Sequence, residues 1–428
     1  MANIKAFSAW RYDCRAASPL ENLISQPYDI IDPAAQEAYY AASPYNIIRL
    51  EWGKVLPNDD ENNNRYSRAA ADFAAWRAAG ILMRDAKPAL YPYVQEYTAQ
   101  GQSYKRRGFL ATVKAAGYGD VLPHENTLPS HKEDRYNLML ACKANFSPIF
   151  GLYNEESRHI DKALEQATAG QTPLLDITDE DGVRHILWQV TEQATIDKVE
   201  QAMAAQKVYI ADGHHRYETA SAFAADMAAH GKANSDRLLI HLVNLYDPGL
   251  IVLPIHRLAK NLEDYSAAAL TQALADVGFA VLPQADLAAL QEKMAATPPD
   301  IAAFGLFSEG QCYLLLLDRD DTVITDTQKG FSTAYQRLDV SIAQALILEA
   351  LCGIGQEQLA AGKHVGYCQK AEEAVAAVKN GEYQFALLLN ATQVSELLAV
   401  AAAGEKMPQK STYFYPKVIA GLVINEIE

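Results

Sequence analysis

Apolar and polar positions recur with two different periods along this chain, and the switches between them mark its elements. Residues 65–79 carry alanine and aromatic positions at helical spacing and stop at Gly80, which predicts an amphipathic helix. Residues 89–98 and 104–114 are strand-type runs flanking Gln100-Gly101-Gln102, a hairpin pattern. The run 46–51 also reads as a strand. A strand at 149–153 leads to a helix at 158–169, and a second helix near 191–206 sets Ile196, Val199 and Met203 on one face. Residues 208–211 form a short buried strand, and from Tyr217 the helical period resumes, with Ser221, Ala224 and Ala228 on the same face. Two more strands are predicted at 238–244 and 250–253. Between the hairpin and the 149–153 strand, residues 120–144 are dense in His, Glu, Lys, Asp and Arg and read as an irregular stretch. Loops of that composition on a rigid scaffold often carry function.

Beyond residue 260 the texture changes. Residues 262–335 are Ala/Leu helices around a 313–317 strand, with few reactive groups, and 336–428 form another α/β stretch. The expected division is therefore 1–260, carrying the chemistry, and 261–428, completing the site. The interleaving fits a mixed α+β fold better than regular βα alternation. At 428 residues, half of them hydrophobic, the chain can bury a large core. The balance of 37 basic against 53 acidic residues gives a net charge of −16, which argues against a duplex nucleic-acid partner. No apolar run approaches the ~18 residues of a membrane span. Five cysteines without CxxC spacing suit reduced, mostly buried thiols, and the N-terminal segment lacks a signal pattern, so a cytoplasmic location is expected.

The sharpest local pattern is the strand–turn–helix unit at 209–220, YIADGHHRYETA. Gly213 permits a tight turn into a helix whose first N–H groups are unpaired, a setting that favours an anion. His214, His215 and Arg216 add donors in the first turn, and Asp212 at the strand end could bind Mg²⁺ or take a proton from a hydroxyl. A second constellation is His124-Glu125 followed by His131, Lys132, Asp134 and Arg135, which is not HExxH and fits a general base with phosphate-directed cations. Gln26-Pro27-Tyr28-Asp29, Pro254-Ile255-His256-Arg257, and the 407–417 segment with Lys410, Ser411 and three aromatics complete the candidates. A P-loop, a GxGxxG turn and a GxSxG elbow are all missing from the sequence.

The series QPYD, HENTLPSHKEDR, NFSPIFGLY, ADGHHRYETA, NLYDPGLIVLPIHR and GEKMPQKSTYFYPK resembles a bacterial and archaeal family recorded as a domain of unknown function and often labelled ParB-like. The match runs in order over nearly the whole chain. It implies a mixed-sheet ParB/sulfiredoxin-like nucleotide-binding core with additional α/β segments. The DGHHR turn is similar to the phosphate-binding turn of that superfamily, which carries over to Gly213, His214, His215 and Arg216 as nucleotide-phosphate residues, with Asp212 at the acidic position before them. Relatives with this fold phosphorylate free L-serine and need a glutamate from an earlier loop; Glu125 matches it by role and chain order. No basic helix-turn-helix follows the turn, so the label says little about DNA.

The expected function is thus an ATP- (or ADP-) and Mg²⁺-dependent kinase acting on the hydroxyl of a small metabolite, L-serine first. Glu125, Asp212 and His214 are the expected catalytic residues; Gly213, His214, His215 and Arg216 bind phosphate; Asp212 is the candidate Mg²⁺ ligand. His124, Lys132, Arg135, His256, Arg257, Lys410 and Ser411 are candidates for the substrate. The alternatives are a nucleotide-binding ParB-like regulatory module, and a metal-dependent phosphoester hydrolase ligated by His124, Asp212, His214 and His215.

Overall fold

A computed structural model describes residues 2–17, 19–123, 130–232 and 235–427, without the side chains of 130, 131 and 360. The chain is a mixed α+β protein of two compact units. The first comprises 1–123, 127–251 and 416–428, and the second 252–415. The division falls at 251/252 instead of the expected 260/261, and residues 416–428 belong to the first unit.

The first unit is built on a nine-stranded mixed sheet. Its strands are β1 (Ile4–Lys5), β2 (Tyr91–Ala99), β3 (Gln102–Lys114), β4 (Val121–Leu122), β5 (Ile149–Tyr153), β6 (Leu175–Thr178), β7 (Arg184–Leu187), β8 (Val208–Asp212) and β9 (Arg237–Asn244). They are ordered β4-β8-β5-β9-β3-β2-β7-β6, with β1 on β3. Most pairs are antiparallel; β5 with β9 and β4 with β8 are parallel. The β2–β3 hairpin turns at Gln100 and Gly101, whose φ of 49° and 75° are those of a two-residue turn matched to strand twist.

Five helices matter here: α1 (Arg65–Ala78), α2 (Ser130–Cys142), α3 (His159–Thr168), α4 (Gln193–Met203) and α5 (His214–Ala229). A capping box of Asn64 and Ser67 starts α1. Ile160 and Leu164 of α3, Ile196, Val199 and Met203 of α4, and Tyr217, Phe223 and Met227 of α5 pack on Phe109, Val113, Ile149, Val208 and Ile240 of the sheet. A second cluster joins Phe73 and Trp76 of α1 to Leu138 and Cys142 of α2, Phe146 and Ile424.

Two expectations are corrected. Residues 46–51 are not a strand: Ile48–Glu51 is a short helix, started by the Asn46 side chain, which accepts from the Ile48 N–H at 2.9 Å. Ile47, Ile48, Leu50 and Glu51 are all buried, and a short run buried on every side carries no period that separates strand from helix. The irregular 120–144 stretch contains α2, whose buried positions Arg135, Leu138, Met139 and Cys142 follow helical spacing with a cation in the first of them.

The second unit holds a six-stranded antiparallel sheet of β10 (His256–Ala259), β11 (Ala280–Gln284), β12 (Ile301–Ser308), β13 (Gln311–Asp318), β14 (Val365–Cys368) and β15 (Phe385–Leu389), ordered β11-β13-β12-β15-β10-β14. Region 262–335 thus supplies three strands where one was expected. The edge strand β11 carries Pro283, which removes an N–H from the open edge. Among the described residues no helix is long and apolar enough to cross a membrane. The five cysteines are unpaired; Cys142 and Cys312 are buried and Cys14 is exposed.

Candidate functional site

The DGHHR turn sits where β8 ends and α5 begins. Gly213 has φ +89°, and a Cβ there would come within 2.8 Å of Ile149 Cγ2 and 3.0 Å of the Arg216 guanidinium. Only glycine supplies both that backbone conformation and that clearance. One turn into the helix, Arg216 folds back: Nη2 donates to Asp212 Oδ2 at 2.8 Å, and Nη1 donates to Ser147 Oγ at 3.1 Å and Pro148 O at 2.6 Å. Lys417 Nζ donates to the other oxygen, Asp212 Oδ1, at 2.5 Å.

From this pair a buried polar chain extends through the first unit. Ser147 Oγ donates to Glu51 Oε1 at 2.7 Å, and Arg135 Nη1 donates to Glu51 O and Oε1 at 3.0 and 3.2 Å. Arg135 Nε donates to Asp134 Oδ2 at 2.7 Å, and Asp134 also pairs with Arg65 and accepts from Tyr66 Oη at 2.8 Å. The Tyr28 ring lies 4.0 Å from the Arg135 guanidinium and 5.9 Å from that of Arg216. QPYD, HKEDR, NFSP, DGHHR and the end of YFYPK therefore meet in one place. The cations Arg65, Arg135, Arg216 and Lys417 pair here with the carboxylates Glu51, Asp134 and Asp212, and the Asp29 carboxylate also acts on Arg216.

Electrostatics fixes the ionisation of this cluster. Burial alone would push the Asp212 carboxyl up, but Lys417, Arg216 and His214 more than offset it and hold it well below the ordinary carboxylate range. Burial would likewise weaken Arg216 and Arg135 as cations; their carboxylate neighbours reverse that, and both remain charged. Tyr28 is pushed up to about 12 by burial, against the lowering effect of Arg135 and Arg216. His214 is buried and His215 half-buried at the start of α5.

The remaining candidates fall elsewhere. Lys132 pairs with Glu218 at 2.5 Å across α2 and α5. His256, Arg257, Lys410 and Ser411 belong to the second unit. There His256 Nδ1 accepts from the Leu389 N–H at 3.2 Å, Arg257 Nη2 donates to Lys410 O at 3.0 Å, and Ser411 Oγ donates to Pro408 O at 2.5 Å. Burial, helped by Arg257, brings His256 down to about 4, so it is neutral. His124 and Glu125 lie outside the described residues.

Glu51 and Ser147 were not among the site residues expected from the sequence, and Tyr28 and Lys417, though inside candidate segments, were given no role of their own. Tyr28, Ser147 and Lys417 lie inside segments that carried the family resemblance, so the signal was present; Glu51 ends an apolar run and offered none. Each oxygen of Asp212, the candidate Mg²⁺ ligand, accepts from a cation. Among the described residues no group of three or more His, Cys, Asp or Glu side chains could hold a metal ion.

A mixed-sheet unit with a glycine turn feeding a buried helix is the class that fold and site define. The chain belongs to the family described as "Protein of unknown function (DUF1015)", whose profile matches residues 4–341. No curated protein matches it. Among solved structures it is similar to a free serine kinase in complex with AMP, at 14% identity over 74% of this chain and 91% of that one, with a TM-score of 0.38. It is also similar to a conserved hypothetical protein from Pyrococcus furiosus, at 15% identity over 74% and 95% of the two chains, with a TM-score of 0.35. A third is C-terminally truncated SbnI from Staphylococcus aureus, at 11% identity over 74% and 87%, also with a TM-score of 0.35.

Proposed function

We propose that this protein is a nucleotide-dependent kinase that transfers a phosphoryl group from ATP or ADP to the hydroxyl of a small metabolite, with L-serine the first candidate. The observation that carries the reading is the pair of buried cations at the DGHHR turn. Arg216 and Lys417 share one carboxylate beside the positive end of α5. Such a place favours a polyanion that brings its own negative charge.

In-line phosphoryl transfer asks the protein mainly for positioning and charge neutralisation. The first N–H groups of α5, with His214 and His215, would hold the donor's phosphates. Asp212 is a poor proton acceptor, since a carboxylate held by two cations binds protons weakly. Its role is to fix Arg216 and Lys417. Glu125, brought in by resemblance, is left as the base for the acceptor hydroxyl. The hydrolase alternative loses ground because Asp212, one of its four ligands, is engaged by cations.

The test is a transfer screen with ATP and ADP against hydroxyl amino acids and polyols, read by phosphorylated product. Phosphoserine formation that Glu125→Ala abolishes while nucleotide still binds supports the kinase. Nucleotide binding with no product from any acceptor would sink it in favour of a regulatory module.

A further inference from the structure

We propose that the first unit binds one buried water molecule between Glu51 and Asn145, and that this water joins two arms of hydrogen bonds that both start on the returning segment 416–427. No nucleotide or acceptor is needed for it to bind, so it stands apart from the kinase reading.

Two polar atoms in the buried cluster have no hydrogen-bond partner among the described residues. Glu51 Oε1 accepts from Ser147 Oγ at 2.7 Å and from Arg135 Nη1 at 3.2 Å, whereas Oε2 of the same carboxylate accepts nothing. Asn145 Oδ1 accepts from the Leu239 N–H at 3.2 Å and from Asn425 Nδ2 at 2.9 Å. A backbone N–H can only donate, which fixes the orientation of the Asn145 amide and leaves its Nδ2 as a donor with no acceptor. Glu51 is 3% exposed and Asn145 6%. At that depth an unmade bond on either atom carries its full desolvation penalty.

The two residues line one cavity of about 30 Å³, together with Arg135, Ser147 and Arg216. About 10–15 Å³ is enough to hold a water, so the space takes one such molecule and excludes a metabolite. Charge selects a neutral guest. A cation would meet the guanidinium groups of Arg135 and Arg216, and an anion would meet the Glu51 carboxylate. Water matches the wall because it donates to Glu51 Oε2 while accepting from Asn145 Nδ2.

Its position gives it a role. From Lys417 one arm runs through Asp212, Arg216 and Ser147 to Glu51. From Asn425, eight residues further along the same segment, the other arm reaches Asn145. The cavity lies between the ends of the two arms, and a water there closes them into one circuit that ties the segment to the DGHHR turn.

A high-resolution crystal structure of the full-length protein tests this. The expected result is one ordered water within about 3.2 Å of both Glu51 Oε2 and Asn145 Nδ2. A cavity without density, or one holding an ion, overturns the proposal. Where crystals do not diffract far enough, NMR cross-relaxation between water and the Asn145 side-chain amide decides. A long-lived water gives a signal there, and its absence overturns the proposal equally. Ala144→Val adds two methyl groups to the cavity wall. Displacing a doubly bonded water should lower the first unit's melting temperature by about 2–4 °C, whereas filling a dry cavity raises it. A raised melting temperature would therefore count against the water as firmly as missing density.

Discussion

At the scale of single residues the site is governed by how much charge surrounds one carboxylate. Arg216→Ala leaves Asp212 with Lys417 alone and strips Ser147 Oγ and Pro148 O of a donor, so we expect a loss of about 3 kcal/mol in urea denaturation. Arg216→Lys should recover little, because a point charge cannot span three acceptors. Gly213→Ala combines a left-handed backbone with a Cβ 2.8 Å from Ile149, and should cost about 2–4 kcal/mol by the same measurement. Asp212 also sets an acid limit. Its folded-state carboxyl is held below the ordinary 3.8, so the stabilisation is whole above that pH and drains as pH falls toward the folded value. Asp212→Asn should flatten that part of the stability–pH profile; an unchanged acid limb would show that other carboxylates set it.

At the scale of elements, legibility followed whether burial obeyed polarity. The β2–β3 hairpin was readable because Gln100-Gly101 dictates its own turn, and α1 because its cap and apolar face agree. Helix α2 was hidden by Arg135, a cation buried where the pattern leads one to expect an apolar residue. Glu51 was hidden likewise: it is 3% exposed, and only its bonds from Arg135 and Ser147 explain why. Strand β10 gives a second, separate pH effect. His256, brought down to about 4 from an ordinary 6.5, accepts a backbone N–H from Leu389 in β15 and must be neutral to do so. The unfolded chain takes up the proton first, so the stability of the second unit should fall as pH drops from 6.5 to 4, by about 3 kcal/mol in all. His256→Asn, with an oxygen in place of Nδ1, should remove that slope in a pH series of thermal melts.

At the scale of the whole molecule, the net charge of −16 proved to be a poor guide to the site, where Arg65, Arg135, Arg216 and Lys417 gather in one cluster. The cationic segments 131–135 and 214–216 were legible; Lys417 stood in a candidate segment, but its pairing with Asp212 was not legible, because proximity across 205 residues has no local signal. It follows from the chain's path. The second unit, 252–415, is an insertion between two parts of the first. The returning segment is no loose tail: Val418, Ile419, Ala420, Leu422, Val423 and Ile424 are all buried, and Asn425 pairs with Asn145 as a short strand. A chain ended at Tyr415 keeps the second unit whole but removes this core material and Lys417 from the first. We expect it to lose the first unit's cooperative transition in calorimetry while the second unit's remains. A flexible linker of about 10 residues in place of 252–415 makes the complementary chain, tolerable because closure entropy grows slowly with loop length. That chain should retain the first unit's transition, and with it the phosphate-dependent nucleotide affinity assigned to the cluster around Asp212. Retention of the transition without affinity would mean that the second unit supplies part of the binding site. Loss of the transition itself would show that the first unit depends on the insertion to fold.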